Sequence, residues 1–298
     1  MAPAAWIDLL DPSEEELRDR APWPLHASTV ELLLSSEENR RPRFQNVGEY
    51  VLGFFLVPVL VPTEDRLYEQ ELGLLVAEEA VLLVRKTPRD GPPFDAGALT
   101  PPREGDSAGL VAFRVVDAVA EEYLDLIDGM DEEVEELEDN IEDWPTEQVR
   151  RRIADIRHDM LHVRRRLAPT RDAVREVVDG RIELAKVELF PREIELLFGN
   201  VYDKFLRAIE GLEFSRDLLT SARDHLQARI ANDQNEVMKR LTAIASILLL
   251  PTFIVGLYGQ NFVDIPELGW HYGYAYAWGV IVAITVAQLV WFRRKGWL

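Results

Sequence analysis

The 298-residue chain contains no cysteine, so disulfides and thiolate metal sites are excluded, and the absence suits a reducing compartment. Charge is missing from two long stretches, Leu241 to Val263 and Tyr272 to Phe292. A run of that length without charge is not a surface helix of a soluble protein; as a helix, Leu241 to Tyr258 alone reaches across bilayer hydrocarbon. Proline is absent from 192 to 250, which removes the usual interruption of a long helix. Basic residues are absent from 121 to 143, where thirteen Asp and Glu stand. The first residues, Met1-Ala2-Pro3-Ala4-Ala5-Trp6, have neither the basic start nor the apolar core of a signal peptide, so insertion is expected to rely on the late helices. No nucleophile, base and orienting group stand out, and no phosphate-cradling glycine motif occurs, so no enzyme is expected.

What is present is acid. The net charge of −20 is uneven: from Lys239 onward five Lys and Arg outnumber Asp264 and Glu267, which leaves −23 on the portion before it. Such a body repels nucleic acid and attracts cations. No nucleic-acid partner is expected.

The pattern predicts an α+β chain: an N-terminal α/β domain over 1–109, a helical hairpin over 110–190, a stalk helix over 191–240 and two membrane helices over 241–298. Trp6 to Leu9 reads as a strand, and Asp11-Pro12-Ser13 before three glutamates is a helix start. A second short helix follows at Val30 to Leu34. Val47 to Val61 and Glu71 to Lys86, rich in Val, Leu and Phe, predict at least three or four strands. Residues 87–108, with five Pro and three Gly, predict a loop. The acidic run 121–143 and a run with nine Arg against three acids over 150–175 predict an antiparallel hairpin of opposite charge, turning at Trp144-Pro145. His158 and His162, one helical turn apart, form a candidate metal pair without an evident third ligand.

Ile194, Leu197, Val201, Phe205, Ala208, Leu212, Ser215, Leu219, Ala222, Leu226 and Ile230 recur at spacings of three and four. That seam predicts one helix from about 191 to 258, roughly 100 Å long at 1.5 Å per residue, with lateral partners covering it. The second apolar run is bracketed by Trp270, Tyr272, Tyr274, Tyr276 and Trp278 on one side and by Trp291 and Trp297 on the other, as interfacial belts are. Lys239-Arg240 precede the first span and Arg293-Arg294-Lys295 follow the second, with no Lys or Arg between the spans. By the positive-inside rule both termini face the cytoplasm of a cell (inner) membrane. Along the first span Asn235, Met238, Leu241, Ala245, Leu249 and Thr252, continuing to Gly256 and Gly259, make a semi-polar stripe. In a symmetric bundle it would line an axis, with Asn235 and Thr252 as polar rungs and Met238, Leu241 and Leu249 as apolar constrictions.

Gly259 ends the first span and is followed by Gln260 and Asn261, neutral oxygen-bearing side chains at a helix C-terminus. Tyr258-Gly259-Gln260-Asn261-Phe262, the nearby Pro266-Glu267-Leu268 and the terminal Phe292-Arg293-Arg294-Lys295-Gly296-Trp297-Leu298 resemble the CorA family of divalent-cation channels. Members carry Gly-Met-Asn at the turn; here Gln260 takes the middle position, which a related zinc-transporting branch also varies. The resemblance extends through Asn235-Glu236-Val237-Met238-Lys239 and, more weakly, Leu161 to Pro169.

The resemblance implies a homopentamer in membrane lipid, with Gly259, Gln260 and Asn261 as selectivity filter and the stripe lining the pore. It implies Mg2+ as transported and regulatory ion, with Co2+, Ni2+ or Zn2+ as alternatives. Asp264 and Glu267 would raise the cation concentration at the outer mouth. It also implies regulatory sites between soluble domains, for which Asp203 and Asp224 on the stalk and Glu64 or Asp65 on the sheet domain are the candidates. The main stalk acid of the family falls at Asn200, an amide. Within transport a zinc carrier driven by a proton gradient is the alternative; outside it, a two-span membrane sensor is disfavoured by an external loop of Gly259 to His271, too short for a sensing domain.

Overall fold

The computed structural model describes residues 4–35, 40–61, 66–95, 105–185, 187–260 and 265–298. The chain is α+β and divides into two compact units, Met1–Arg223 and Asp224–Leu298.

In the first unit, β1 (Ala5–Leu10), β2 (Arg43–Asn46), β3 (Val51–Val61), β4 (Arg66–Val76) and β5 (Ala80–Arg85) form one sheet in the order β1-β5-β4-β3-β2. Only β1 with β5 is parallel; the other pairs are antiparallel. The central strands are near-continuous apolar runs because both sheet faces are covered. One face packs on α1 (Glu14–Arg20) and α2 (Ala27–Leu34) through Leu17, Val30, Leu33, Phe54, Leu75 and Leu82. Ser13 caps α1, its hydroxyl accepting from the Glu16 amide at 3.1 Å.

The other face packs on α3 (Ala108–Asp139) and α4 (Thr146–Val178). There the fully buried Tyr123 donates its hydroxyl to the Leu56 carbonyl at 2.6 Å. Phe44, Phe55, Phe190 and Phe198 stack edge to face at 5.2–6.4 Å and join β2 and β3 to the start of α5 (Arg192–Tyr258). Gly109 lets α3 approach the Leu189 carbonyl, where a Cβ would collide with the oxygen.

Three findings revise the sequence reading. The strand expected to begin at Glu71 begins at Arg66, and β2 adds a four-residue edge strand. The seam of α5 is already covered within one chain as far as Ala222: Phe205 stacks on Tyr123 at 5.7 Å, Gly211 lies against Ile127, and the Ser215 hydroxyl donates to Asp131. And the two charge runs of the hairpin do not simply zip together. Arg152 meets Glu133 at 3.5 Å, but Arg166 reaches Glu69 on β4 and Arg164 leans toward Glu213 on α5 at 3.9 Å.

His162 serves that second kind of contact: its Nε2 lies 2.7 Å from Glu69 Oε1, so it ties α4 to the sheet instead of pairing with His158 on a metal. Among the described residues no group of three or more His, Asp or Glu could hold an ion. Burial alone would push the Glu69 carboxyl up, but the hydrogen bonds from His162 and Arg166 outweigh it and hold the group below the ordinary carboxylate range. A depressed folded pKa gives stability that is fully present above the unfolded value, near 4.5, and is lost as pH falls through the folded one. Glu69→Gln should therefore cost stability at pH 7 and progressively less as acid removes the same contribution from the parent. Unfolding midpoints of both proteins from pH 7 to pH 3 check this; a difference that stays constant with pH would contradict it.

Candidate functional site

The second unit is built on the last part of α5, the 3-10 turn Pro266–Gly269 and α6 (Gly273–Arg294). Both helices are long and apolar enough to cross a membrane. Their outward side chains fit no aqueous surface: Leu248, Leu249, Phe253, Val282 and Val286 are each more than half exposed.

The two spans pack through one face of α5. Ala243 and Ile254 are buried, and Gln288 of α6 donates its amide to the Ser246 carbonyl at 3.2 Å. At 3.6 residues per turn, about 100° per residue, positions 243, 247, 250 and 254 share that face. From Met238 onward the predicted stripe lies on the opposite one, and all of it is open: Asn235, Met238, Leu241, Ala245, Leu249, Thr252 and Gly256 are exposed, Leu249 at 70%. Thr252 donates its hydroxyl to the Leu248 carbonyl at 2.7 Å, which leaves the hydroxyl oxygen facing outward as an acceptor.

At its end α5 closes with the Gly259 amide on the Val255 carbonyl at 2.9 Å and the Gln260 amide on the Leu257 carbonyl at 3.3 Å. A helix C-terminus leaves its last carbonyls without intrahelical donors and carries the negative end of the macrodipole. Gly259 and Gln260 are exposed there. Asn261 and Asp264 lie outside the described residues. Glu267 sits half-buried in the 3-10 turn, where its carbonyl approaches Gly273 so closely that a Cβ on Gly273 would collide with it. Trp270 packs on Tyr276 at 5.8 Å and Tyr274 on Trp278 at 6.5 Å, an aromatic collar at this end of α6.

Asn200 and Asp203 are exposed on α5, one turn apart, in the first unit, and Asp224 is exposed on α5 in the second. Glu64 and Asp65 lie outside the described residues. Beside Asp203, Lys204 engages Asp117 at 2.5 Å and also Glu121, which ties α5 to α3 and draws that cation away from the Asn200–Asp203 face. Glu121 had no signal in the sequence beyond its place at the start of the acidic run, and Asp117, before that run, had none.

A helix whose open face is neutral and semi-polar, packed by a second apolar helix along the other face and ending in uncharged oxygens, fits a two-span membrane protein of the ion-transporting class. The comparisons agree. A family model described as "CorA-like Mg2+ transporter protein" matches residues 2–294, and the chain belongs to that family. It is 27% identical over 297 residues to YfjQ of Bacillus subtilis, covering 98% of this chain and 89% of that one. It is 26% identical over 284 residues to the cobalt/magnesium transport protein CorA of Thermotoga maritima, covering 92% and 77%. Among solved structures, the complete CorA magnesium transporter of Methanocaldococcus jannaschii has the same fold, with a TM-score of 0.79 at 23% identity over 98% of this chain and 91% of that one. The cytoplasmic domain of ZntB from Vibrio parahaemolyticus shares the soluble fold, with a TM-score of 0.55 at 16% identity over 76% of this chain and 88% of that one.

Proposed function

We propose that the chain assembles in the inner cell membrane as a homopentamer, both termini cytoplasmic, and takes up magnesium through an axial pore lined by α5. The observation that carries this reading is the continuous open stripe from Asn235 to Gly259 on the face of α5 turned away from α6. A helix in lipid has no use for Asn235 and Thr252 on its outer face, whereas an axis shared by several copies hydrates both. The apolar face of α6, with Val282, Val286, Leu289 and Val290 outward, then meets lipid.

Magnesium prefers oxygen ligands and keeps its water, so a ring of backbone carbonyls and amides at Gly259, Gln260 and Asn261 would hold the ion through its hydration shell. Weak, indirect holding permits throughput. The α5 dipole and the carboxylates of Asp264 and Glu267 concentrate cations at that mouth. Inside, magnesium bound between neighbouring copies near Asn200, Asp203, Asp224 and the Glu64–Asp65 turn would favour the closed bundle.

Gln260, in place of the family's usual methionine, is where a second reading, zinc, differs from the first. Uptake of Mg2+, Co2+, Ni2+ and Zn2+ into vesicles holding the purified protein, with and without a pH gradient, separates the two. Magnesium uptake that saturates and ignores the gradient is the expected result; zinc uptake that requires the gradient, with magnesium excluded, would replace it.

A further inference from the structure

Between α4 and α5 of the first unit runs a groove of about 560 Å3 whose floor is Met160, Leu167, Leu212 and Leu219. Leu161 stands on its rim 46% exposed. Its walls carry five arginines, Arg157, Arg164 and Arg171 from α4 and Arg216 and Arg223 from α5, against the single carboxylate of Glu213. In a chain of net charge −20 this is a local reversal of sign. Among the described residues its neutralisation is partial. Arg164 and Arg216 keep only long contacts of 3.9 Å, to Glu213 and Asp217, and Arg171 pairs with its neighbour Asp172. Arg157 and Arg223 meet no carboxylate among the described residues.

The spacing of the arginines is as telling as their number. Arg157, Arg164 and Arg171 stand seven residues apart, and so do Arg216 and Arg223, a repeat of about 10.5 Å along each helix wall. The solvent face of α3 presents the same repeat with the opposite sign: Asp125, Glu132 and Asp139 are seven apart, with Asp128 and Glu135 between them, all exposed and all without a cation partner among the described residues. Charges at a common heptad spacing on facing helices set partner and register. No residue of α3 lines the groove, so one copy cannot satisfy both surfaces with itself.

We propose that this groove receives the acidic face of α3 from a second copy of the chain, joining soluble units head to tail. The proposal rests on the self-assembly proposed above and names the surfaces that meet. A contact between two different patches of one subunit is heterologous and closes into a ring when its rotation allows, which is what an axial pore needs. The apolar floor supplies contact area, and the arginines choose which helix lies on it.

The absence of cysteine makes the test direct. Leu161→Cys on the groove rim and Glu136→Cys beside the acidic stripe, combined in the full chain in detergent, should give a ladder of cross-linked copies with a long flexible bismaleimide, and neither single variant should. Reversing Arg157, Arg164 and Arg171 to Glu should cut the ladder about tenfold or more. Reversing Asp125, Glu132 and Asp139 to Arg should do the same, and the two reversals together should restore it. High salt should weaken the ladder of the double-cysteine protein itself, a readout that does not depend on a charge variant folding. Native mass spectrometry of the same samples separates the failures. An oligomer whose cross-linking ignores salt and both reversals would overturn the α3-in-groove contact and leave self-assembly standing; a monomer would overturn both. Binding of anionic vesicles that needs the arginines, with no ladder, would assign the groove to lipid and overturn the proposal.

Discussion

Asn261→Ala should abolish divalent-cation uptake while leaving the chain folded and assembled. The side chain follows directly on the Gly259–Gln260 terminus of α5 and is the last neutral amide before Asp264. Its role in the proposed ring is to accept hydrogen bonds from the water of a hydrated ion, and alanine offers nothing in its place. One such bond is worth about 0.5–1.5 kcal/mol net. Five equivalent losses add to several kcal/mol, and each 1.4 kcal/mol is about tenfold, so occupancy of the mouth should fall by a hundredfold or more. Gln260→Ala should do less, since its backbone carbonyl survives the substitution. Initial uptake rates in vesicles, with oligomeric state measured on the same preparation, check both. Near-parental uptake by the Asn261 variant would remove this residue from the filter.

Asn200→Asp should lower the internal magnesium concentration at which transport stops. An ion closes a bundle only as far as it binds the closed form more tightly than the open one, and a tenfold preference is about 1.4 kcal/mol per site. An amide oxygen coordinates but brings no charge, so Asn200 and Asp203, one turn apart on one helix, supply one carboxylate between them. Lys204 does not make up the difference, being held by Asp117 and Glu121. A second carboxylate in each of five copies should shift closure to magnesium about tenfold lower or more. Asp203→Asn and Asp224→Asn should raise the threshold or leave it unchanged. Flux against internal magnesium, or protection of α5 from protease over the same range, reads the shift. An unmoved curve for Asn200→Asp, in a protein whose parent closes at low magnesium, would send the regulatory site elsewhere.

How much of this was legible in the sequence differs from element to element, for physical reasons. The long helix was, because nothing between 192 and 250 can break it and its apolar side chains keep one period throughout. What covers that seam was not. A heptad says that something lies against Phe205 and Ala208 but not whether it is another copy, and it proved to be α3 of the same chain, with Gly211 making room for Ile127. Edge strand β2 escaped because only Phe44 of its four residues is buried, and the start of β4 escaped because Glu69 and Gln70 look wrong for an interior strand until Arg166, His162 and the Pro92 carbonyl are seen to meet them.

The proposed site could be named from the sequence where it is one-dimensional. The stripe from Asn235 to Thr252 is a property of one helix, so spacing alone picks out its residues, and they are exposed in the single chain. The arginine groove is the opposite case: the arginines of its two walls are 45 and more residues apart in the chain, and only the packing of α4 beside α5 puts them together. The charge runs announced that the hairpin was unusual. They did not announce that Arg164 would keep only a 3.9 Å contact and that Arg157 would meet no carboxylate among the described residues.

The central claim, that several copies share one axis lined by α5, is tested most directly by native mass spectrometry of the full chain released from detergent micelles. The account predicts a pentamer as the dominant species at concentrations where uptake is observed. A dominant monomer or dimer in an uptake-competent preparation would contradict it, because one or two copies of α5 cannot enclose the stripe.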